Sequence, residues 1–149
     1  MKSIRTEILI DAPKENVWRI LTDFQKYPEW NPFIRSFKGG IEEGGRFAVS
    51  IQQPGKKPMT FKPRCLVLRK DEEFRWLGHL FIKGLFDGEH IFRLEETPEG
   101  KTNLIHCENF SGILVPLLWK QLDTATRAGF EEMNKALKTR AEAELAEVA

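Results

Sequence analysis

The chain of 149 residues has only two cysteines, three histidines and one tyrosine, and no apolar run long enough to span a bilayer. A small secreted domain held together by disulfides would need more cysteines, so Cys65 and Cys107 read as inert, buried or half-buried thiols. His79, His90 and His106 follow no zinc-ligand spacing, and no metal is expected. An excess of one charge is also missing: 23 Lys and Arg against 22 Asp and Glu leave +1, which argues against a nucleic-acid binder. The glycine pairs fall between strands instead of ahead of a helix, so there is no phosphate loop or dinucleotide fingerprint and no cofactor is expected. Met1-Lys2-Ser3-Ile4-Arg5-Thr6-Glu7 does not read as a secretory signal, which makes the cytoplasm the expected location.

What the chain does have is rings. With 11 Phe and 4 Trp beside the tyrosine, either the core is ring-rich or some rings line a pocket. Ile4, Thr6, Ile8 and Ile10 alternate with Arg5, Glu7, Leu9 and Asp11, the period of a strand with one buried face. Pro13 and Glu15 suit a first helical turn, and Val17, Trp18, Leu21 and Phe24 recur at helical spacing until Tyr27-Pro28. Turn signals from Gly39-Gly40 to Pro98-Glu99-Gly100 then separate strands near 33–39, 45–52, 59–69, 73–82, 86–96 and 101–111. Pro63 removes a ladder donor inside one of them and predicts a distortion there. From about Val115 to Leu145, Leu118, Leu122, Ala125, Gly129, Met133 and Leu137 form the stripe of one long amphipathic helix.

This order of elements predicts a single α+β domain over 1–149. Together with Asp11-Ala12-Pro13-Lys14-Glu15-Asn16-Val17-Trp18 and Asp23-Phe24 through Tyr27-Pro28-Glu29-Trp30-Asn31-Pro32-Phe33, it resembles the helix-grip (SRPBCC) superfamily of START lipid-transfer domains, polyketide cyclases and pathogenesis-related proteins. Gly88-Glu89-His90-Ile91-Phe92-Arg93-Leu94 and Glu108-Asn109-Phe110-Ser111-Gly112-Ile113-Leu114 resemble a bacterial branch described as polyketide cyclase/dehydrase-like. The resemblance implies a seven-stranded curved antiparallel sheet gripping the long C-terminal helix, with two short helices after the first strand. It specifies fold better than chemistry, because such domains bind or transform many unrelated apolar molecules.

If Thr97 faces Lys101 across a hairpin, His90 falls opposite Glu108 and Phe92 opposite His106. A second hairpin around Lys83-Gly84-Leu85 sets Gly78 beside His90 and Trp76 beside Phe92. Asp87, Glu89, Arg93 and Glu95 belong in water, so Gly88, His90, Phe92 and Leu94 point inward. Trp76, Gly78, Leu80, Leu104, His106, Glu108 and Phe110 join that face. Gly78 and Gly88, with small residues at Thr124 to Gly129, suggest a cavity; close packing of helix on sheet would use the same residues. Trp30, Phe33, Trp76, Gly78, His90, Phe92, His106, Glu108 and Phe110 are the candidate ligand-binding residues, with Trp30 to Phe33 serving as either a lid or a fixed plug.

His90 and Glu108 are also the candidates for acid–base catalysis, since a buried carboxylate needs a partner and an imidazole supplies one. A purely structural pair is the alternative. Lys56, Lys57, Lys62 and Arg64 lie in a stretch without acidic residues that could touch an anionic membrane or an acidic protein, or simply face water. Three functions follow: binding of a small hydrophobic or lipid-like molecule, a cyclase or dehydratase using the His–Glu pair, and a docking or assembly factor.

Overall fold

A computed structural model describes residues 1–148. Five strands form one antiparallel sheet in the order β1 (Lys2–Ile10), β8 (Thr102–Ser111), β7 (Phe86–Glu96), β6 (Glu73–Leu80), β5 (Arg64–Arg69), and three form a second, β2 (Ile34–Lys38), β3 (Ala48–Ile51), β4 (Met59–Phe61). The expected seven-stranded sheet is thus corrected to eight strands in two sheets. Pro63 is the physical reason: it offers no N–H, so the stretch 59–69 breaks there into β4 and β5. Its carbonyl still accepts from the Phe47 N–H, and Cys65 N–H donates to the Gly45 carbonyl, which ties the two sheets together.

The register follows the sequence pattern. Pairing of β7 with β8 sets His90 opposite Glu108 and Phe92 opposite His106, as expected. Pairing of β6 with β7 sets Trp76 opposite His90 and Gly78 opposite Gly88, because five residues, not three, separate Leu80 from Phe86. The correction is two residues, so each side chain keeps the face assigned to it.

Between β1 and β2, α1 (Lys14–Thr22) buries Val17, Trp18, Ile20 and Leu21. It ends at Thr22, and after a turn of 3-10 helix Pro28 sits in the first turn of α2 (Tyr27–Trp30), where its missing N–H costs nothing. The C-terminal helix is also interrupted: α3 (Val115–Gln121) and α4 (Arg127–Val148) are joined by a π turn at Leu122–Thr126. That extra residue rotates the buried stripe onto Thr126, Phe130, Met133, Asn134, Leu137 and Ala141. No helix of the described residues is long and apolar enough to cross a membrane.

The rings divide into two groups. Phe24, Tyr27, Phe37, Phe47, Phe74 and Trp76 fill the core between α2 and the sheets, with Tyr27 edge-on to Phe37 at 4.7 Å and Phe74 at 5.0 Å from Trp76. The Tyr27 hydroxyl donates to the Leu21 carbonyl, so this buried ring leaves no orphaned polar atom. The second group faces a cavity between β3, β4, β6, β7, β8 and the π turn.

Phe33 reaches that cavity by passing under Gly129, where a methyl group would lie 2.5 Å from the ring's Cε1. Here the small helix residue serves close packing. Gly129→Ala is therefore expected to destabilise the fold by about 1–3 kcal/mol, although alanine is the better helix former by about 1 kcal/mol. Chemical denaturation checks this, and a variant more stable than the parent would contradict the packing argument.

Candidate ligand-binding cavity

The cavity encloses about 300 Å³, at the lower end of the range of small-molecule pockets. Val49, Ile51 and Gln53 alternate along and beyond β3, and Met59, Phe61 and Pro63 along β4, so the three-stranded sheet forms one wall by its period of two. Trp76, Gly78, Phe86, Gly88 and Phe110 supply the opposite wall, and Leu118, Leu122 and Thr126 close the helical side. The candidate residues read from the sequence include none on β3 or β4, where the alternation of Val49 with Ile51 and of Met59 with Phe61 is the available signal.

Among the candidate residues, Phe33, Trp76, Gly78, Glu108 and Phe110 line this cavity. His90, His106 and Phe92 lie behind its wall in the closed core. Trp30 is elsewhere: its ring packs on Tyr27 at 5.0 Å and borders a surface groove with Lys135, Ala136 and Arg140. Asn31 explains that turn. Its side-chain oxygen accepts the N–H groups of Phe33 and Ile34 at 2.9 and 2.8 Å, so the segment is a braced plug and not a hinged lid.

Glu108 is the acidic group on the lining. Its carboxyl is accommodated by Gly88, where a Cβ would meet Oε1 at 2.5 Å, so that glycine makes room for the acid. Burial without a cationic partner pushes the Glu108 carboxyl up to about 8, and at pH 7 it is a neutral acid able to donate a hydrogen bond.

The expected bond between His90 and Glu108 is not formed. Nδ1 of His90 stands 3.9 Å from Glu108 Oε2, and Nε2 of His90 meets Nε2 of His106 at 2.6 Å. Asn134 fixes the protons of this chain. Its Nδ2 donates to the Thr6 hydroxyl, which donates to the His106 carbonyl, so Asn134 Oδ1 accepts from Nδ1–H of His106 at 2.8 Å. A neutral His106 then accepts at Nε2, His90 donates from Nε2, and His90 Nδ1 is left as a buried lone pair without a partner. Desolvation keeps both rings neutral, pulling His90 well below its usual range and His106 from 6.5 to about 3. The rings are clamped by stacking, Trp76 on His90 at 4.5 Å and Phe130 on His106 at 4.0 Å.

Beyond the inner wall, His79 pairs with Asp87 at 2.7 Å on the outer face and reaches the cavity rim. Burial raises both thiols, Cys65 and Cys107, which suits inert side chains.

Against known proteins, the family described as polyketide cyclase / dehydrase and lipid transport matches residues 1–142. The chain belongs to that family. Its fold is shared with the Zhui aromatase/cyclase from Streptomyces sp. R1128 at a TM-score of 0.77 and 15% identity, covering 97% of this chain and 95% of that one. The di-domain ARO/CYC StfQ of the steffimycin biosynthetic pathway matches at 0.76 and 16% identity, over 97% of this chain and 52% of that one. A START superfamily protein from Mycobacterium smegmatis matches at 0.75 and 18% identity, over 95% and 97%. Likeness at these identities speaks for the fold alone. No curated protein matches the chain in sequence.

The protonation states carry a pH signature. Glu108 holds its proton to about 8 when folded, against an ordinary 4.5, so its contribution to stability is complete below 4.5 and is lost as pH rises through 8. The lowered histidines act oppositely: their contribution is complete above 6.5 and is lost as pH falls toward their folded values, about 3 for His106. Between 6.5 and 8 only Glu108 of these three changes charge. The parent's Tm is expected to fall with pH across that window and that of Glu108→Gln to stay level; a level parent profile would rule out a neutral Glu108.

Proposed function

We propose that this protein binds a small apolar molecule carrying a neutral oxygen, with the apolar body among the rings and the oxygen hydrogen-bonded to Glu108. The observation that supports this most directly is the Glu108 carboxyl, standing without a cationic partner on an otherwise largely apolar cavity wall, where burial favours its neutral form. A neutral acid in an apolar site can donate to a carbonyl or accept from a hydroxyl, and it does not demand a cationic ligand. The size of the cavity favours a single chain or a few fused rings over a two-chain lipid.

A second reading has its own support. Glu108, raised by burial, faces the cavity as an acid, and the lone pair of His90 Nδ1 lies 3.9 Å behind it in the closed core. In a cyclase or dehydratase, Glu108 would protonate a substrate carbonyl or departing hydroxyl, and the carboxylate so formed would recover a proton from the adjacent substrate carbon, which leaves His90 behind it as a positioning residue. Two of the structurally similar proteins are an aromatase/cyclase and a di-domain ARO/CYC, which makes this the natural enzymatic alternative.

Binding of a fused-ring aromatic ketone and of its parent hydrocarbon, each followed by quenching of tryptophan fluorescence, tests the first reading. Glu108→Ala is expected to weaken the ketone about tenfold, in keeping with one lost hydrogen bond in a dry site, and to leave the hydrocarbon unchanged. Equal losses for both would show that Glu108 supports the wall and not the ligand. Turnover of a carbonyl substrate that declines above pH 8 and disappears in Glu108→Gln would instead establish catalysis.

A further inference from the structure

One end of the molecule carries an apolar surface that the cavity does not absorb. Phe81, Ile82, Ile113 and Leu117 are 75%, 67%, 74% and 81% exposed. They come from two segments held together, because Ile113 N–H donates to the Gly84 carbonyl and Leu114 N–H to the Leu85 carbonyl. Phe81 adopts φ +69°, an uncommon conformation for a bulky side chain, and this turn holds its ring out in water. Leu80 and Leu118, adjacent to Phe81 and Leu117 in sequence, and Phe86 at the end of the same turn line the cavity, so the apolar tip borders its mouth.

The charge around that tip has one sign. The stretches 52–63, 77–86 and 109–122, which border the mouth, contain Lys56, Lys57, Lys62, Lys83 and Lys120 and no acidic residue. Lys2, at the same end through its pairing with Phe110, lies over the Trp119 ring. The acids that flank these stretches are engaged or turned inward: Asp87 with His79 and the Gly84 N–H, Asp123 with Arg127, and Glu108 facing the cavity. At the opposite end of β7 and β8 the pattern reverses, with Glu95, Glu96 and Glu99 at the 97–101 hairpin. Exposed apolar side chains ringed by lysines, at one end of a molecule with no net charge to speak of, match the chemistry of a negatively charged lipid surface.

We propose that this end docks on an anionic bilayer, inserting Phe81, Ile82, Ile113 and Leu117 at the headgroup level while Lys57, Lys83 and Lys120 contact lipid phosphates. Docking brings the cavity mouth to the membrane, the phase in which an apolar ligand is dissolved, and in that respect it rests on the binding function proposed above.

Co-sedimentation at pH 7 with vesicles of phosphatidylcholine alone, and of phosphatidylcholine with phosphatidylglycerol, tests it. The full chain is expected to pellet with the anionic vesicles only and to be released as salt rises. Lys57→Glu/Lys83→Glu/Lys120→Glu should lower the bound fraction at least about tenfold. Phe81→Ser/Ile113→Ser should do the same, since all five changes are at exposed positions, while Lys101→Glu at the far hairpin should bind like the parent. Failure of the parent to pellet at low salt overturns docking and points to a protein partner; equal pelleting of the lysine variant, or of the parent with neutral vesicles, overturns it as well. Native mass spectrometry separates the two readings. A lysine variant that retains the parent's ligand but loses the vesicles supports docking, whereas vesicle binding by a parent that holds no ligand leaves docking standing and removes the cavity function.

Discussion

Two imidazoles that share one N–H in the closed core constrain most of what surrounds them. Neither His90 nor His106 can carry charge there, so the 2.6 Å contact between their Nε2 atoms holds only if one donates and the other accepts. Asn134 on α4 and Thr6 on β1 decide which. A satisfied buried network of this kind specifies one arrangement of the elements that supply it. It sets α4 in a single register across β1 and β8, and in doing so it places the bend at Leu122–Thr126 over the cavity. The same chain of donors ends in the bare lone pair of His90, directed at the carboxyl that the cavity exposes.

Much of this frame was legible from residue order alone. The order of elements, the inward face and the pairing of His90 with Glu108 followed from turn positions and a period of two, which backbone geometry enforces. What the pattern could not reach depended on atoms and not on periods. The split at Pro63 arises because that residue has no N–H to donate while its carbonyl accepts from the Phe47 N–H, and the interruption at Leu122–Thr126 because one extra residue is taken up in a π turn. Adjacent Cα atoms made Glu108 look like the partner of His90, but stacking on Trp76 and the reach of two rings give that role to His106. Trp30 carried the ring chemistry of a pocket residue and packs on Tyr27, because the turn braced by Asn31 directs Phe33 to the cavity instead.

The cavity sets one acid among rings and aliphatic side chains. Gly88 makes the space for that acid, since the place of its missing side chain is taken by the Glu108 carboxyl. A protonated carboxyl is a permissive contact: it donates to a carbonyl, accepts from a hydroxyl, and rotates to do either. It penalises an ionised ligand acid much less than a carboxylate would, and it gains little from a ligand cation. Discrimination among ligands therefore falls to shape, that is, to Phe33, Trp76, Phe86 and Phe110 and to the three-stranded wall that faces them. Replacing those apolar side chains by others of different size changes the cavity without touching the buried polar network. The fold can then retain its register and its neutral acid while the cavity changes shape, which is why the architecture was easier to read from this sequence than the function.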